Sequence, residues 1–433
     1  MYNGVGMANI LMLINQFSDA GEPADPPHQL ADAFVSAGHS VKAVVIPWQR
    51  NETSVSKYCE HDRLQVLRIP PLHITRFGHA ISLLLRWTFS SLIARRHAKK
   101  FVGKDEVDLI YTTSPSASMA FLIRWAIRKF PQARPYLYIV DFFPFHQRAI
   151  GLIPAGLIFR IAKWAETGLI RMFDTVACMS PRNVEYLQSH YALRPAQVIE
   201  ILPLSTAITP PVDIDKKAVR ARYRLPEKKV IAIFGGQITD GRGIEQIIET
   251  ARIASREVPE LHFVLAGHGR LVHRVEAYIE KGEHNLSLIS SLARDAYIEL
   301  AAACDIGLVV TVPISDIPTF PSKTLDYLQA GLPVVAAVEP DTDFRGFVEE
   351  HGFGMVVEAG SAQVLLDALA RMVHDSQMRN EMAKAGRQAL QNIFDVRHAA
   401  AQIAMKCDDC EITAIPSVRN DGIINSMGPK TTI

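Results

Sequence analysis

Short apolar runs recur along this chain at the spacing of strands that alternate with helices. Ala8 to Ile14, Val41 to Ile46, Asp108 to Thr113, Tyr136 to Val140, Thr175 to Ser180 and Val198 to Pro203 are each short enough for one strand. Such continuous runs, rather than a polar–apolar alternation, belong to parallel strands covered on both faces. The segments between them have helical period: Leu30, Ala33, Phe34 and Ala37 share one face, and Gly38 stands at the C′ position that closes the helix. Strand, crossover helix and parallel strand wind right-handedly, so the chain is expected to fold as doubly wound α/β units.

The pattern breaks once and restarts. Between Pro203 and Lys217 lie three prolines, small polar residues and no helical period, which predicts a linker over 204–228 between a domain at 8–203 and a second at 229–394. The second domain has its own runs at Val230 to Phe234, Leu261 to Ala266, Leu286 to Ser290, Asp305 to Thr311 and Val334 to Val338. A helix over 395–410 is expected to follow, and 411–433 is polar, without period, and expected to be disordered. At 433 residues, 48% of them hydrophobic, the chain is long enough for two cores. A formal net charge of +1 gives no global field for nucleic acid. Five scattered cysteines fit a reducing compartment better than a disulfide framework, and Cys407 and Cys410 lack the second pair of a zinc site. The start carries no secretory pattern and no window suits a spanning helix, so a cytoplasmic location is expected.

Candidate chemistry gathers around Phe320 to Pro333, a short helix opened by Pro321-Ser322 and closed by Gly331. Ser322, Lys323 and Asp326 are three and four residues apart, so one face carries a hydroxyl, a cation and a carboxylate. Such a face can take a phosphate at Ser322 and Lys323 and a ribose hydroxyl at Asp326. On spacing alone it serves equally as the solvated side of a helix packed by Leu325 and Leu328. Gly235-Gly236-Gln237 through Gly241-Arg242-Gly243 is a glycine-punctuated loop without the Lys-Ser or Lys-Thr of a triphosphate loop. Its Arg242 can grip a diphosphate from the side opposite Lys323, or sit as an exposed turn residue. After the first strand there is no G-x-G-x-x-G, so a dinucleotide cofactor is not expected, and Gly21 in that loop reads by itself as a flexible position. The aromatic loop Asp141 to His146 carries two ionisable groups, of which His146 suits either a structural role or acid–base work.

Pro321-Ser322-Lys323, Asp326-Tyr327, Gly331 and Pro333-Val334-Val335 together resemble the nucleotide-sugar site of retaining glycosyltransferases of family 4, most closely the subgroup that builds bacterial cell-surface polysaccharides. The likeness extends over residues 8 to about 405: Gly236 with Arg242-Gly243, Leu265-Ala266-Gly267-His268-Gly269, Asp141-Phe142-Phe143-Pro144, and Ser180-Pro181 match further family segments. It implies two Rossmann-like domains facing a cleft, the GT-B fold, and a nucleoside diphosphate sugar as substrate rather than a bound cofactor. Gly21, Gly236, Gly267, Ser322 and Lys323 would then lie on the donor, with Asp326 on its ribose, and Arg242, Lys323 and His146 at the chemistry. Attack on the front face, assisted by the leaving phosphate, needs no protein nucleophile, and the absence of a D-x-D at a strand end facing the loops suits a metal-independent reaction. Two positions depart from the family: Pro318 stands where the first acid of its E-x7-E pair belongs, with Asp316 close by, and Pro203-Leu204-Ser205 replaces a P-N-G.

From His79 to Phe101, Trp87, Phe89 and several leucines are mixed with Arg86, Arg95, Arg96, Lys99 and Lys100, and there is no acid. This reads as an interfacial helix on anionic lipid or as an ordinary domain helix with a basic end. Since the resembling enzymes elongate lipid-linked sugars, a saccharide or lipid-linked acceptor and a peripheral membrane surface are the expected partners. Two other readings stay open: a sugar-nucleotide epimerase on the same fold, and a non-catalytic partner subunit that has lost the acid at Pro318.

Overall fold

The computed structural model describes residues 6–19, 22–48, 54–73, 79–149, 151–211, 213–282, 285–290, 292–313, 317–340 and 342–407. These form two parallel sheets with helices on both faces. The first contains β1 (Asn9–Ile14), β2 (Ser40–Val45), β3 (Ser56–His61), β4 (Leu64–Arg68), β5 (Leu109–Thr113), β6 (Arg134–Ile139), β7 (Thr175–Cys178) and β8 (Val198–Ile201), in the order β3-β4-β2-β1-β5-β6-β7-β8. All are parallel except β3, which returns antiparallel along β4 at the edge. The second contains β9 (Val230–Gly235), β10 (Leu261–Ala266), β11 (Leu286–Ile289), β12 (Ile306–Val310), β13 (Val334–Val338) and β14 (Gly354–Glu358), in the order β11-β10-β9-β12-β13-β14. In each sheet the strand order reverses beside the first strand, and the crevice at that switch point is where such sheets hold ligands.

Local sequence sets the helix ends. Asp25 caps the Pro26–Ser36 helix by accepting from the His28 N–H, and Gly38, at φ 97°, closes it while His39 N donates to the Phe34 carbonyl. Ser180 caps the Pro181–His190 helix in the same way, with a proline at its first turn.

Two expectations need correction. The span 204–228 is not all linker: Lys216–Arg222 is a helix of the second domain, where Arg220 donates to the Ala303 carbonyl at 2.9 Å and pairs with Asp305 at 2.7 Å. The His79–Val102 helix does not show an aromatic stripe to solvent, because Ala94, Ala98, Phe101 and Val102 are buried and Trp87 lies against Phe143 and Trp48, 5.4 and 6.0 Å between ring centres. Its apolar face from Ala94 to Val102 is core of the first domain; Phe89, at 47% exposure, stands alone among its described aromatic residues in facing solvent, with Arg96, Lys99 and Lys100 also exposed.

The chain crosses between domains twice at one place. Thr206 pairs with Asp395 as a parallel bridge, Thr206 N donating to Phe394 O and Val396 N to Thr206 O. The Val396–Ala404 helix then buries Val396, Ala399, Ala400 and Ile403 in the first domain's core beside Phe34 and Ile10. The tail from 408 onward, including Cys410 and the stretch 411–433, lies outside the described residues.

Candidate active site

A cleft of about 660 Å³ opens between the carboxyl ends of the two sheets. Its second-domain wall is made largely of backbone. Gly236 N donates to the Ala266 carbonyl and Gly267 N to that of Ile289, both at 2.9 Å, so the loops after β9, β10 and β11 are knitted together. A Cβ on Gly267 would stand 1.8 Å from the Gly236 carbonyl oxygen, a spacing that only glycine permits. A Cβ on Gly236 would meet nothing within 4 Å, since its Cβ side is open. Arg242 follows on the exposed turn before the Ile244–Glu257 helix.

Opposite this loop lies Lys323. Its helix is short, Lys323–Gln329, beginning two residues later than the Pro-Ser signal suggests; Ser322 is exposed and makes no capping hydrogen bond. So short a helix contributes little dipole, and the positive charge of the wall comes from side chains. The Lys323 ammonium sits 3.5 Å from the centre of the Phe234 ring, and among the described residues no carboxylate pairs with it. Burial, then the nearby Arg242 guanidinium, pushes it well below its ordinary pKa. A buried lysine beside a second cation, with no carboxylate partner among the described residues, is costly to keep charged unless an anion joins it. One turn on, Asp326 accepts from Arg294 at 2.7 Å; burial raises its carboxyl above the usual range even with that guanidinium beside it. Tyr327 anchors the helix from below, donating to the Leu308 carbonyl and accepting from Gly235 N, each at 3.0 Å.

The first-domain wall is formed by Val140, Asp141, Phe142, His146 and Met179. Ser114 Oγ accepts from the N–H groups of Val140 and Asp141 at 3.0 and 2.9 Å, holding that loop to the end of β5. Phe142, Phe143 and Phe145 pack under it, and Tyr191 donates to the Phe143 carbonyl at 2.6 Å. The adjoining turn is fixed by Glu166, whose carboxylate accepts from Ser116 N, Ala117 N and Ser116 Oγ at 2.8, 2.8 and 3.0 Å. Burial outweighs these bonds and raises Glu166 to about 7.

Gly236, Gly267, Arg242, Ser322, Lys323, Asp326 and His146 thus line one cleft. Gly21 and Asp316 lie outside the described residues. Pro318 lines the cleft too, and its carbonyl accepts from Asn183 of the first domain at 2.9 Å. Sequence reasoning missed Arg294, which opens its helix without serving the core, and Glu339, a buried acid at the end of β13 that accepts from Thr319 at 2.7 Å and also from Thr311. An acid directly after an apolar strand was the available signal for Glu339.

Residues 215–389 match the family described as Glycosyl transferases group 1. The matched span covers nearly all of the second domain. Other likenesses reach across both domains. WcaI of Escherichia coli (strain K12), whose name assigns it to colanic acid biosynthesis as a glycosyl transferase, is 25% identical over 358 residues, 78% of this chain and 85% of that one. Sucrose-phosphate synthase from Thermosynechococcus elongatus superposes with a TM-score of 0.69 at 18% identity, covering 92% of this chain and 98% of that one. Anabaena Alr3699/HepE, solved with UDP and glucose, superposes at 0.62 and 17% identity over 92% and 98%. The fold of the chain is therefore GT-B, as expected from the sequence.

Proposed function

We propose that this protein is a retaining, metal-independent glycosyltransferase that moves a hexosyl group from a nucleoside diphosphate sugar to a lipid-linked saccharide in surface polysaccharide assembly. The observation that carries the reading is the pair Lys323 and Arg242, two cations without a carboxylate partner among the described residues, close enough to repel each other and lining one pocket with Gly236 and Gly267. A diphosphate supplies the missing anion, and it gains charge as the anomeric C–O bond breaks, so cations held in place stabilise the transition state more than the ground state. Gly236 and Gly267 let the backbone approach the phosphates, and Asp326, oriented by Arg294, accepts from the ribose. The acceptor oxygen bonds to the anomeric carbon on the face the diphosphate leaves, and its proton passes to the departing phosphate. His146, on the facing wall, orients the acceptor. The match of residues 215–389 to the glycosyl transferases group 1 family and the likeness to a colanic acid enzyme support the substrate class.

The test is a thermal-shift screen of nucleotide sugars, followed by proton NMR of the product formed from the donor that stabilises most. Retention of the donor's anomeric configuration, undiminished by chelator, is expected. An inverted linkage, or loss of turnover with chelator, overturns the mechanism. A product epimerised on the sugar ring would indicate an epimerase, and stabilisation by no nucleotide sugar a non-catalytic subunit.

A further inference from the structure

The Leu157–Ile170 helix has two unlike faces. Inward, Phe159, Glu166, Leu169 and Ile170 are buried. Outward, Leu157, Ile158, Ile161 and Trp164 are 70, 48, 53 and 78% exposed, and Leu152 in the preceding turn adds 44%. Positions 157, 161 and 164 repeat at one helical face, so these are a continuous apolar ridge rather than scattered surface residues. Arg148, Arg160, Lys163 and Arg171 rim the ridge, and among the described residues none of them pairs with a carboxylate. Arg148 and Lys163 lie 4.6 and 5.3 Å from the centres of the Phe159 and Phe145 rings. Between Phe142 and Phe173 the sequence has a single acid, Glu166, and it faces inward.

We infer that this ridge is the surface by which the protein docks on an anionic lipid bilayer, with Trp164, Ile161 and Leu157 entering the interface and the four cations meeting headgroup phosphates. A helix that combines an apolar ridge with cations and lacks outward acids matches that boundary on both counts. A second copy of the chain fits poorly, because a two-fold contact would set the four cations against their own copies. The ridge also adjoins the cleft: the Phe145–Ala149 helix runs from His146 on the cleft wall to the turn before Leu157, and Glu166 ties the ridge helix itself to the Ser116 turn. An acceptor held in the bilayer would thereby be offered to the cleft, a purpose that rests on the glycosyltransferase reading.

Co-sedimentation with phosphatidylglycerol–phosphatidylethanolamine vesicles, against phosphatidylcholine vesicles, tests this. Wild-type protein is expected to pellet with the anionic vesicles at low salt and to be released as salt rises. The double variant Ile161→Ser, Trp164→Ser is expected to partition about tenfold less, whereas Arg96→Gln, Lys99→Gln, Lys100→Gln on the other basic helix binds like wild type. Wild type staying in the supernatant, equal binding by the Ile161/Trp164 variant, or a size-exclusion dimer dissolved by that variant without vesicle binding would each overturn the docking surface. Release of nucleotide from a nucleotide sugar without vesicles is read in parallel. Protein that binds vesicles but hydrolyses no donor retains the docking surface and refutes only the glycosyltransferase reading.

Discussion

The two walls of the cleft are made differently. The second domain presents backbone and charge: glycines packed against carbonyls, with Arg242, Lys323, Asp326 and Arg294 in fixed places. The first domain presents an aromatic bed under a loop with only Asp141 and His146 ionisable. A diphosphate and ribose recur unchanged from donor to donor, so a wall that holds them gains from rigidity and close approach. An acceptor is recognised by shape, and a loop on packed rings can vary without disturbing the sheet below.

The largest effect expected from this contrast is at the cations. Lys323→Met or Arg242→Gln is predicted to lower turnover by about 10²- to 10³-fold, with a smaller change in KM for donor; His146→Ala on the other wall should leave donor hydrolysis far less affected. A steady-state comparison that shows lost ground-state affinity with full turnover would erase the distinction. Because burial holds the Lys323 ammonium well below its ordinary pKa, nucleotide binding at alkaline pH is predicted to take up protons. Calorimetry in buffers of different ionisation enthalpy measures that uptake, which Lys323→Met abolishes.

Next is the backbone. Gly267→Ala is predicted to destabilise the protein by about 3 kcal/mol, since its methyl meets the Gly236 carbonyl. Gly168 in the first domain is helical, and a methyl there would meet nothing within 4 Å, so Gly168→Ala should stabilise by about 1 kcal/mol. Denaturant midpoints of the two variants moving in the same direction would break the comparison.

The smallest effect concerns Glu166. Its folded pKa, raised to about 7 by burial, means that the folded protein binds the proton more tightly than the unfolded chain. Its stabilising contribution is full below the ordinary carboxylate range and is lost as pH rises through 7, on the order of 2 kcal/mol between pH 5 and 7. Glu166→Gln is predicted to flatten that part of the stability–pH curve, as measured by urea unfolding; an unchanged slope would mean that Glu166 ionises normally.

The strands visible in the sequence are those buried on both faces, such as Val334–Val338, because burial leaves a run with no polar interruption. Ser56–His61 was illegible: as an antiparallel edge strand its residues alternate between half-buried and exposed, and its letters read as loop. Gly354–Glu358 was missed because its first residue is a glycine, admitted where a Cβ would touch the Val334 carbonyl. At the site, Lys323 and Asp326 were legible because one helix turn carries both, whereas the partner of Asp326 is 32 residues away on another helix. The two apolar, basic helices of the first domain look alike as letters. Only packing shows that Trp87 lies half-buried against Phe143 while Trp164 stands outward.

The paired crossings at Thr206 and Asp395 have a mechanical consequence. A domain tethered by one strand can swivel about any direction, whereas two strands bridged side by side leave it one easy rotation, like a door on its pins. The opposite lip is held by weaker means: Asn183 on the Pro318 carbonyl, and Arg182 N on the Asp343 carboxylate. A rotation about that bridge wide enough to open the cleft would part those bonds first and leave the paired crossings whole.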